Sequence, residues 1–379
     1  MIILNIINNI DNIKVGEYLT IIFKSNHDME TSDNNPFALF SKVNNTKKVT
    51  IKVIDFLGKG SFGIVYKIEY KNKLFALKFN SNEIPVKLYE RYKSLRSCKK
   101  IKKYFIDIYC CGNVNSDKFK YFSIMEYGGK SLKIKNCVYD KPILHYIVYQ
   151  LVDIVYNVIK YKVLLPDFKL NNLTLNDNYD IKIIDFYIYC DNYSTLKNCT
   201  IIKTYASIEM QTYRTLFDLT CTPLPNYNYT YICLPFAFCM IDLFCKYKSS
   251  FYIEKLAKKF SIKDDSSAKE IINMIQVSSF YYNITPNENN THFITEYDKI
   301  YTYIKYIENK YPIVNSNTFY EYFLNIIHIK DEYSNFLSRE QFLLFINDFI
   351  NLDPNKRPLN MMFVILKNIK PQIKYKGKK

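Results

Sequence analysis

Leu57-Gly58-Lys59-Gly60-Ser61-Phe62-Gly63-Ile64-Val65 places three of the chain's eight glycines within six residues. Glycine has no Cβ, so a backbone built from it can come close to phosphate oxygens and offer them its amides. The residues that follow decide the kind of loop. A Walker-type loop ends in Gly-Lys-Ser/Thr and opens a helix. Gly63 runs instead into Ile64-Val65-Tyr66-Lys67-Ile68-Glu69-Tyr70, whose alternation predicts a strand. A second strand, Phe75-Ala76-Leu77-Lys78, follows and ends on a lysine. The glycines therefore belong to a β-hairpin. Taken alone, the segment is equally well read as a tight turn in an unrelated hairpin.

At 379 residues, with 48% hydrophobic and 23% charged residues, the chain is long enough for one large core or two smaller ones and is globular in composition. It is rich in tyrosine, isoleucine, asparagine and lysine and has no tryptophan. That is the bias of an AT-rich genome. The same bias inflates lysine, so the net charge of +16 is a weak sign of a nucleic-acid partner and does not exclude one. A basic surface favours acidic proteins, nucleic acid or anionic membrane. The ten cysteines show no metal-ligand spacing, and no signal peptide is recognisable. Free thiols in a reducing, cytoplasmic compartment are expected. The most apolar window, Tyr231 to Cys245, is too short to span a bilayer and reads as a buried core helix. No transmembrane segment is expected.

Along the chain, residues 1–48 read as an N-terminal extension in which Ile2 to Ile7 forms a strand or a short helix. Residues 49–127 are strand-rich, with helical character at 82–97. From 128 to 379 the chain reads mainly as helix, with an expanded polar region around 264–315. Gly128-Gly129 is a natural hinge between the two parts. A long apolar-periodic segment, Ile143 to Leu164, predicts a core helix.

The chemistry is concentrated in Leu164-Leu165-Pro166-Asp167-Phe168-Lys169-Leu170-Asn171-Asn172-Leu173-Thr174. Further on stands Ile183-Ile184-Asp185-Phe186-Tyr187, separated from it by the polar turn Asn176-Asp177-Asn178. With the glycine hairpin and Lys78, these segments resemble the eukaryotic-type protein kinases over about residues 51 to 370. Asp167, Lys169 and Asn172 are in register with the catalytic loop of that family, and Asp185-Phe186 with its Asp-Phe-Gly motif. Asp353-Pro354-Asn355-Lys356-Arg357-Pro358 resembles the family's C-terminal signature, and Ser207-Ile208-Glu209 the end of its activation segment.

The resemblance implies an α+β, bilobal fold: an antiparallel N-lobe sheet with one helix, and a mainly helical C-lobe. It implies ATP and Mg²⁺ as cofactors and transfer of the γ-phosphoryl group to serine or threonine hydroxyls of a protein. By that resemblance Asp167 orients the hydroxyl and Lys169 stabilises the phosphoryl group. Asn172 and Asp185 hold the metal. Lys78 holds the phosphates, paired with Glu90 or, second, Glu83. Gly58, Gly60, Ser61, Phe62 and Gly63 cover the nucleotide. Val65, Ala76, Met125, Glu126, Tyr127, Gly128 and Thr174 surround the adenine. The substrate expected is an acidic protein, and the enzyme a monomer.

Ser207-Ile208 and Gly129-Lys130-Ser131-Leu132 resemble the casein kinase 1 and vaccinia-related kinase branch, which includes poxvirus kinases. The composition fits such an AT-rich large DNA virus, and then a host-cytoplasmic location. Four positions depart from the family pattern. Leu165-Pro166 replaces His-Arg, Tyr187 replaces a glycine, and Thr174 replaces a leucine. The aspartate that opens the central C-lobe helix is not visible near Thr230 to Ile232. These departures keep a second reading open, a pseudokinase that binds nucleotide or a partner. With Pro166 in place of arginine, an enzyme of this kind is expected to work without a phosphate near Ser194, Thr195 or Thr200.

Overall fold

The computed structural model describes residues 3–6, 13–24, 47–60, 63–81, 99–114, 116, 118–133, 138–161, 163, 165, 168–185, 232–247, 325–347, 349 and 362. The helix expected at 82–97, the segment 186–231 and the signature at 353–358 lie outside the described residues. The chain divides into two compact units: Met1–Lys130 with Thr174–Ile184, and Ser131–Leu173 with Asp185–Lys379.

The first unit is built on a seven-stranded antiparallel sheet. Its strands are β1 (Ile3–Ile6), β2 (Tyr18–Lys24), β3 (Lys47–Gly60), β4 (Gly63–Tyr70), β5 (Lys73–Asn80), β6 (Ile108–Asn113) and β7 (Tyr121–Glu126). They lie in the order β1-β2-β3-β4-β5-β7-β6. A single helical turn, α1 (Lys99–Lys102), precedes β6 and buries Ile101. Side chains alternate across a strand, so one set of residues from each strand enters a common core. β2 supplies Leu19 and Ile21, and β3 Val49, Ile51 and Val53. β4 gives Tyr66 and Ile68, β5 Phe75, Leu77 and Phe79, and β7 Phe122 and Ile124. Burial of each large apolar side chain is worth about 1.5–3 kcal/mol. The two end strands of the order, β1 and β6, approach each other, so the sheet curls.

Two local features shape the sheet. Lys71 and Asn72 have φ of 50° and 59°, the left-handed pair that a two-residue I′ hairpin turn requires between β4 and β5. The long β3 carries irregularities between Val53 and Asp55 and between Phe56 and Gly58, which bend it toward its glycine end. The stretch Ile2 to Ile7, left open between strand and helix by its sequence, contains the strand β1, paired with β2. Residues 18–24 are a full member of the sheet, with Leu19 and Ile21 completely buried.

Three short strands form a second sheet: β8 (Lys130–Ser131), β9 (Leu173–Leu175) and β10 (Ile181–Ile183), in the order β10-β9-β8. The β9–β10 turn is closed by Asn176, whose Oδ1 accepts the N–H groups of Asn178 and Asp180 at 2.9 Å each.

The second unit is helical where it is described. α2 (Lys141–Lys160) begins with Pro142 in its first turn and buries Leu144, Ile147, Leu151, Ile154, Val155 and Val158 along one side. It is long and apolar enough to cross a membrane by length and composition, a test that core helices also pass. α3 (Cys233–Phe244) falls in the window read as a core helix. Phe236, Ala237, Cys239, Met240 and Ile241 are fully buried in it. α4 (Arg339–Asn347) joins α3 through aromatic contacts, Phe244 with Phe342 and Phe236 with Phe345, at centroid distances of 5.6 and 6.3 Å. The architecture is therefore α+β, with its antiparallel sheet in the N-terminal part of the chain.

Candidate functional site

Directly opposed residues in a ladder share a face of the sheet. The registers of β3, β4, β5, β7 and β6 therefore set out three transverse rows on the face turned away from the core. One runs Gly60, Gly63, Asn80, Tyr121 and Asn113. The next runs Gly58, Val65, Lys78, Ser123 and Cys111. The third runs Asp55, Lys67, Ala76, Met125 and Ile108. Seven residues singled out from sequence, Gly58, Gly60, Gly63, Val65, Ala76, Lys78 and Met125, thus come together on one surface. Lys78 is 8% exposed, an unusual depth for a lysine.

The three hairpin glycines are there for different reasons. A Cβ at Gly63 would overlap the carbonyl oxygen of Phe79 on the neighbouring strand, so the sheet itself demands glycine. A Cβ at Gly60 would meet nothing within 4 Å, and its φ is not in the left-handed region. Gly58 likewise faces open space. Among the described residues neither packing nor a left-handed φ requires glycine at Gly60. Ser61 and Phe62, at the tip, lie outside the described residues.

After β7 the chain passes Glu126, Tyr127, Gly128 and Gly129. Gly128 is buried, and a Cβ there would press on Thr174 Oγ1, Ile106 and Lys182. Gly129, at φ 94°, passes so close to the Leu175 carbonyl that no side chain fits. The hinge strand thus lies flat on β9 and β10. Thr174 is buried and its hydroxyl donates to the Lys182 carbonyl at 3.3 Å. Glu126 turns its carboxylate to Lys182 Nζ, 3.0 Å away, and accepts the Asp107 N–H at 3.0 Å. Its own N–H donates to the Asp107 carbonyl at 2.7 Å. Tyr127 carries Lys67 Nζ 4.6 Å from its ring centroid. Burial, then Asp177 and Asp55, push the Tyr127 hydroxyl above its ordinary pKa. Burial, then Glu126 and Asp107, push Tyr109 up to about 12.

In the second unit, Lys169 precedes a 3-10 turn, Leu170–Asn172, closed by the Asn172 N–H donating to the Lys169 carbonyl at 2.9 Å. Phe168, Leu170 and Leu173 anchor this turn in the core, each no more than 3% exposed. Lys169 and Asn172 are each 7% exposed. Cys239 of α3, fully buried, hydrogen-bonds with the backbone of Leu170; burial raises its thiol and this bond offsets part of the rise. Asp185 is exposed and has φ 51°, a left-handed conformation that is uncommon outside glycine and clusters at functional sites. Asp167 and Glu90 lie outside the described residues, as does Glu83.

Asparagine and aspartate offer hard oxygens of the kind Mg²⁺ takes. That ion uses one or two protein groups and completes its shell with water and phosphate. Asn172 and Asp185 fit it on those grounds. Among the described residues no group of three or more His, Cys, Asp or Glu side chains gathers as a denser metal site would need. The free cysteines Cys110, Cys111, Cys233, Cys239 and Cys245 are all buried.

Three features escaped the sequence reading. The Glu126–Lys182 pair joins residues 56 positions apart. Cys239 supports the Leu170 backbone from a helix whose position the sequence does not disclose. Ser123 is completely buried next to Lys78, and its Oγ has no hydrogen-bond partner among the described residues. Its one visible signal is a polar residue inside the apolar run Phe122-Ser123-Ile124.

Compared with models of protein families, the chain matches none, and no curated protein matches it.

Proposed function

We propose that the chain is a bilobal protein kinase that binds ATP with Mg²⁺ and transfers the γ-phosphoryl group to serine or threonine hydroxyls of proteins. The observation that carries this reading is the transverse row Gly58, Val65, Lys78, next to Gly60, a glycine that no described residue and no left-handed φ requires. A polyanion over the hairpin accounts for the glycines and for a deeply placed lysine at once. Ala76 and Met125 in the adjoining row, and Gly128 against Thr174, form the small apolar bed that a purine requires. The left-handed backbone at Asp185 supports a strained metal-binding position.

The chemistry this assigns is a displacement at phosphorus. The substrate hydroxyl oxygen bonds to the γ-phosphorus, the bond from that phosphorus to the β–γ bridging oxygen breaks, and ADP leaves. Asp167 accepts the hydroxyl proton. Lys169 faces the phosphoryl oxygens, and Lys78 holds the α and β phosphates in line. Asn172 and Asp185 would hold Mg²⁺, which would supply neutralisation of phosphate charge when bound.

Purified protein incubated with γ-labelled ATP, Mg²⁺ and casein tests the proposal. Incorporation that depends on Mg²⁺ and falls at least about a hundredfold in Asp167→Asn is the expected result. Incorporation no greater than in that variant contradicts it. Retained Mg²⁺-dependent ATP binding without transfer would make the chain a nucleotide-binding module.

A further inference from the structure

The sheet face that carries Lys78 has a buried polar atom for which no described residue supplies a partner. Ser123 lies directly across the β5–β7 ladder from Lys78 and is 0% exposed. Among the described residues its Oγ has no hydrogen-bond partner. Opposed residues in a ladder have Cβ atoms about 4.5–5.5 Å apart, so the hydroxyl stands beside the lysine stem, within reach of the ammonium as that side chain moves. Burying a hydroxyl without a partner opposes folding, and alanine or valine would serve the strand better. Neighbouring strand positions do follow that rule: Phe122 and Ile124 point to the core, and Met125 continues the same face as Ser123. A buried polar group left unsatisfied is rare enough to call for an explanation, and a functional role is one of them.

We propose that Ser123 is a positioning residue for Lys78: its hydroxyl accepts a hydrogen bond from the ammonium when nucleotide is bound. The inference rests on the reading of Lys78 as a phosphate-binding lysine. A lysine has three N–H donors and a flexible stem, so its ammonium can give one hydrogen bond to a phosphate and another to a protein acceptor beside its other partners. Ser123 supplies that acceptor from a rigid strand, so the ammonium is aimed toward the glycine hairpin. The hydroxyl touches neither nucleotide nor substrate.

The experiment uses the full chain and ATP with Mg²⁺ as the probe. Melting temperature without nucleotide and the Kd for Mg²⁺–ATP are measured for the native protein, Ser123→Ala, Ser123→Cys, Lys78→Met and the double variant Lys78→Met with Ser123→Ala. A hydrogen bond to a charged group predicts that Ser123→Ala weakens ATP binding about tenfold or more. Its nucleotide-free melting temperature stays the same or rises, because the orphan hydroxyl has gone. Ser123→Cys, close in size and a poorer acceptor, falls between the two. In the Lys78→Met background Ser123→Ala has no further effect on the Kd. Native protein that binds ATP, with Ser123→Ala binding equally well, overturns the inference and leaves the kinase reading standing. A lowered nucleotide-free melting temperature in Ser123→Ala overturns it as well, since the hydroxyl then has a structural partner. So does a loss of affinity that persists without Lys78. Native protein that binds no ATP overturns both readings.

Discussion

The two units hold their candidate residues by different physics. In the sheet unit, position is set by a ladder. Once Gly63 pairs with Asn80, the placement of Val65, Lys78, Ser123, Ala76 and Met125 follows from register, residue by residue. In the helical unit, Lys169 and Asn172 sit on a three-residue turn held by the burial of Phe168, Leu170 and Leu173 and by a helix sixty and more positions further along. A ladder tolerates changes that keep backbone spacing and fails where the backbone is touched. A buried turn tolerates little in its apolar anchors and much in its polar side chains. That contrast predicts which substitutions unfold the protein and which only silence it.

The largest effect is expected where the hinge backbone meets β9. Gly129→Ala combines a left-handed φ with overlap on the Leu175 carbonyl, and should cost about 3 kcal/mol or more in denaturant unfolding. A loss below about 1 kcal/mol would mean that the hinge and β9 move apart easily. Next comes Glu126→Ala, which strips Lys182 of its carboxylate and the Asp107 N–H of an acceptor. Both groups are only partly exposed, so about 2 kcal/mol is expected, recovered in part by Glu126→Gln.

Tyr109 offers a pH test of the same corner. Its pKa is raised to about 12 in the folded chain, against about 10 when unfolded. The unfolded state loses the proton first, so this contribution is intact below pH 10 and is lost as the pH rises from about 10 to 12. Tyr109→Phe should flatten the fall of stability with pH over that window, read as unfolding midpoints in denaturant. An unchanged slope would place the tyrosine in water instead of against Phe75, whose ring centroid is 5.4 Å away. The smallest structural effect belongs to Gly60→Ala, which meets open space and should change stability by no more than about 0.5 kcal/mol. It should nevertheless weaken Mg²⁺–ATP binding, whereas Gly63→Ala, whose Cβ would overlap the Phe79 carbonyl oxygen, should destabilise the sheet unit by about 1–3 kcal/mol.

The difference between the units also explains what could be read in advance. The β4–β5 hairpin, β7 and the β9–β10 turn were legible because their signals are local: alternation, paired turn residues and an asparagine placed to cap the turn. α2 and α3 were legible from apolar content and length. β1 and β2 were not recognised as members of the main sheet. The run Ile2 to Ile7 has no alternation to separate strand from helix, and β2 pairs with β3 across a long intervening stretch. Lys78, Ala76 and Met125 could be chosen from motif spacing, and the registers bring them onto one face. Ser123 could not, because a lone serine in an apolar strand acquires meaning only when the residue across the ladder is known. Glu126 was expected only as one of the residues around the adenine. That its carboxylate is committed to Lys182 and Asp107 depends on a partner far away in sequence.

The central proposal is that the chain binds ATP with Mg²⁺ and needs Lys78 and Asp185 to do so. The most direct measurement is the melting temperature of the native protein with ATP, with and without Mg²⁺, beside Lys78→Met and Asp185→Asn. Stabilisation by a bound ligand grows as RT ln(1 + [L]/Kd), so a site of this kind predicts a rise of several degrees at saturating ATP. The rise should require Mg²⁺ and disappear in both variants, whose nucleotide-free melting temperatures stay close to that of the native protein. A rise of equal size without Mg²⁺, or one that survives in Asp185→Asn, would contradict the account.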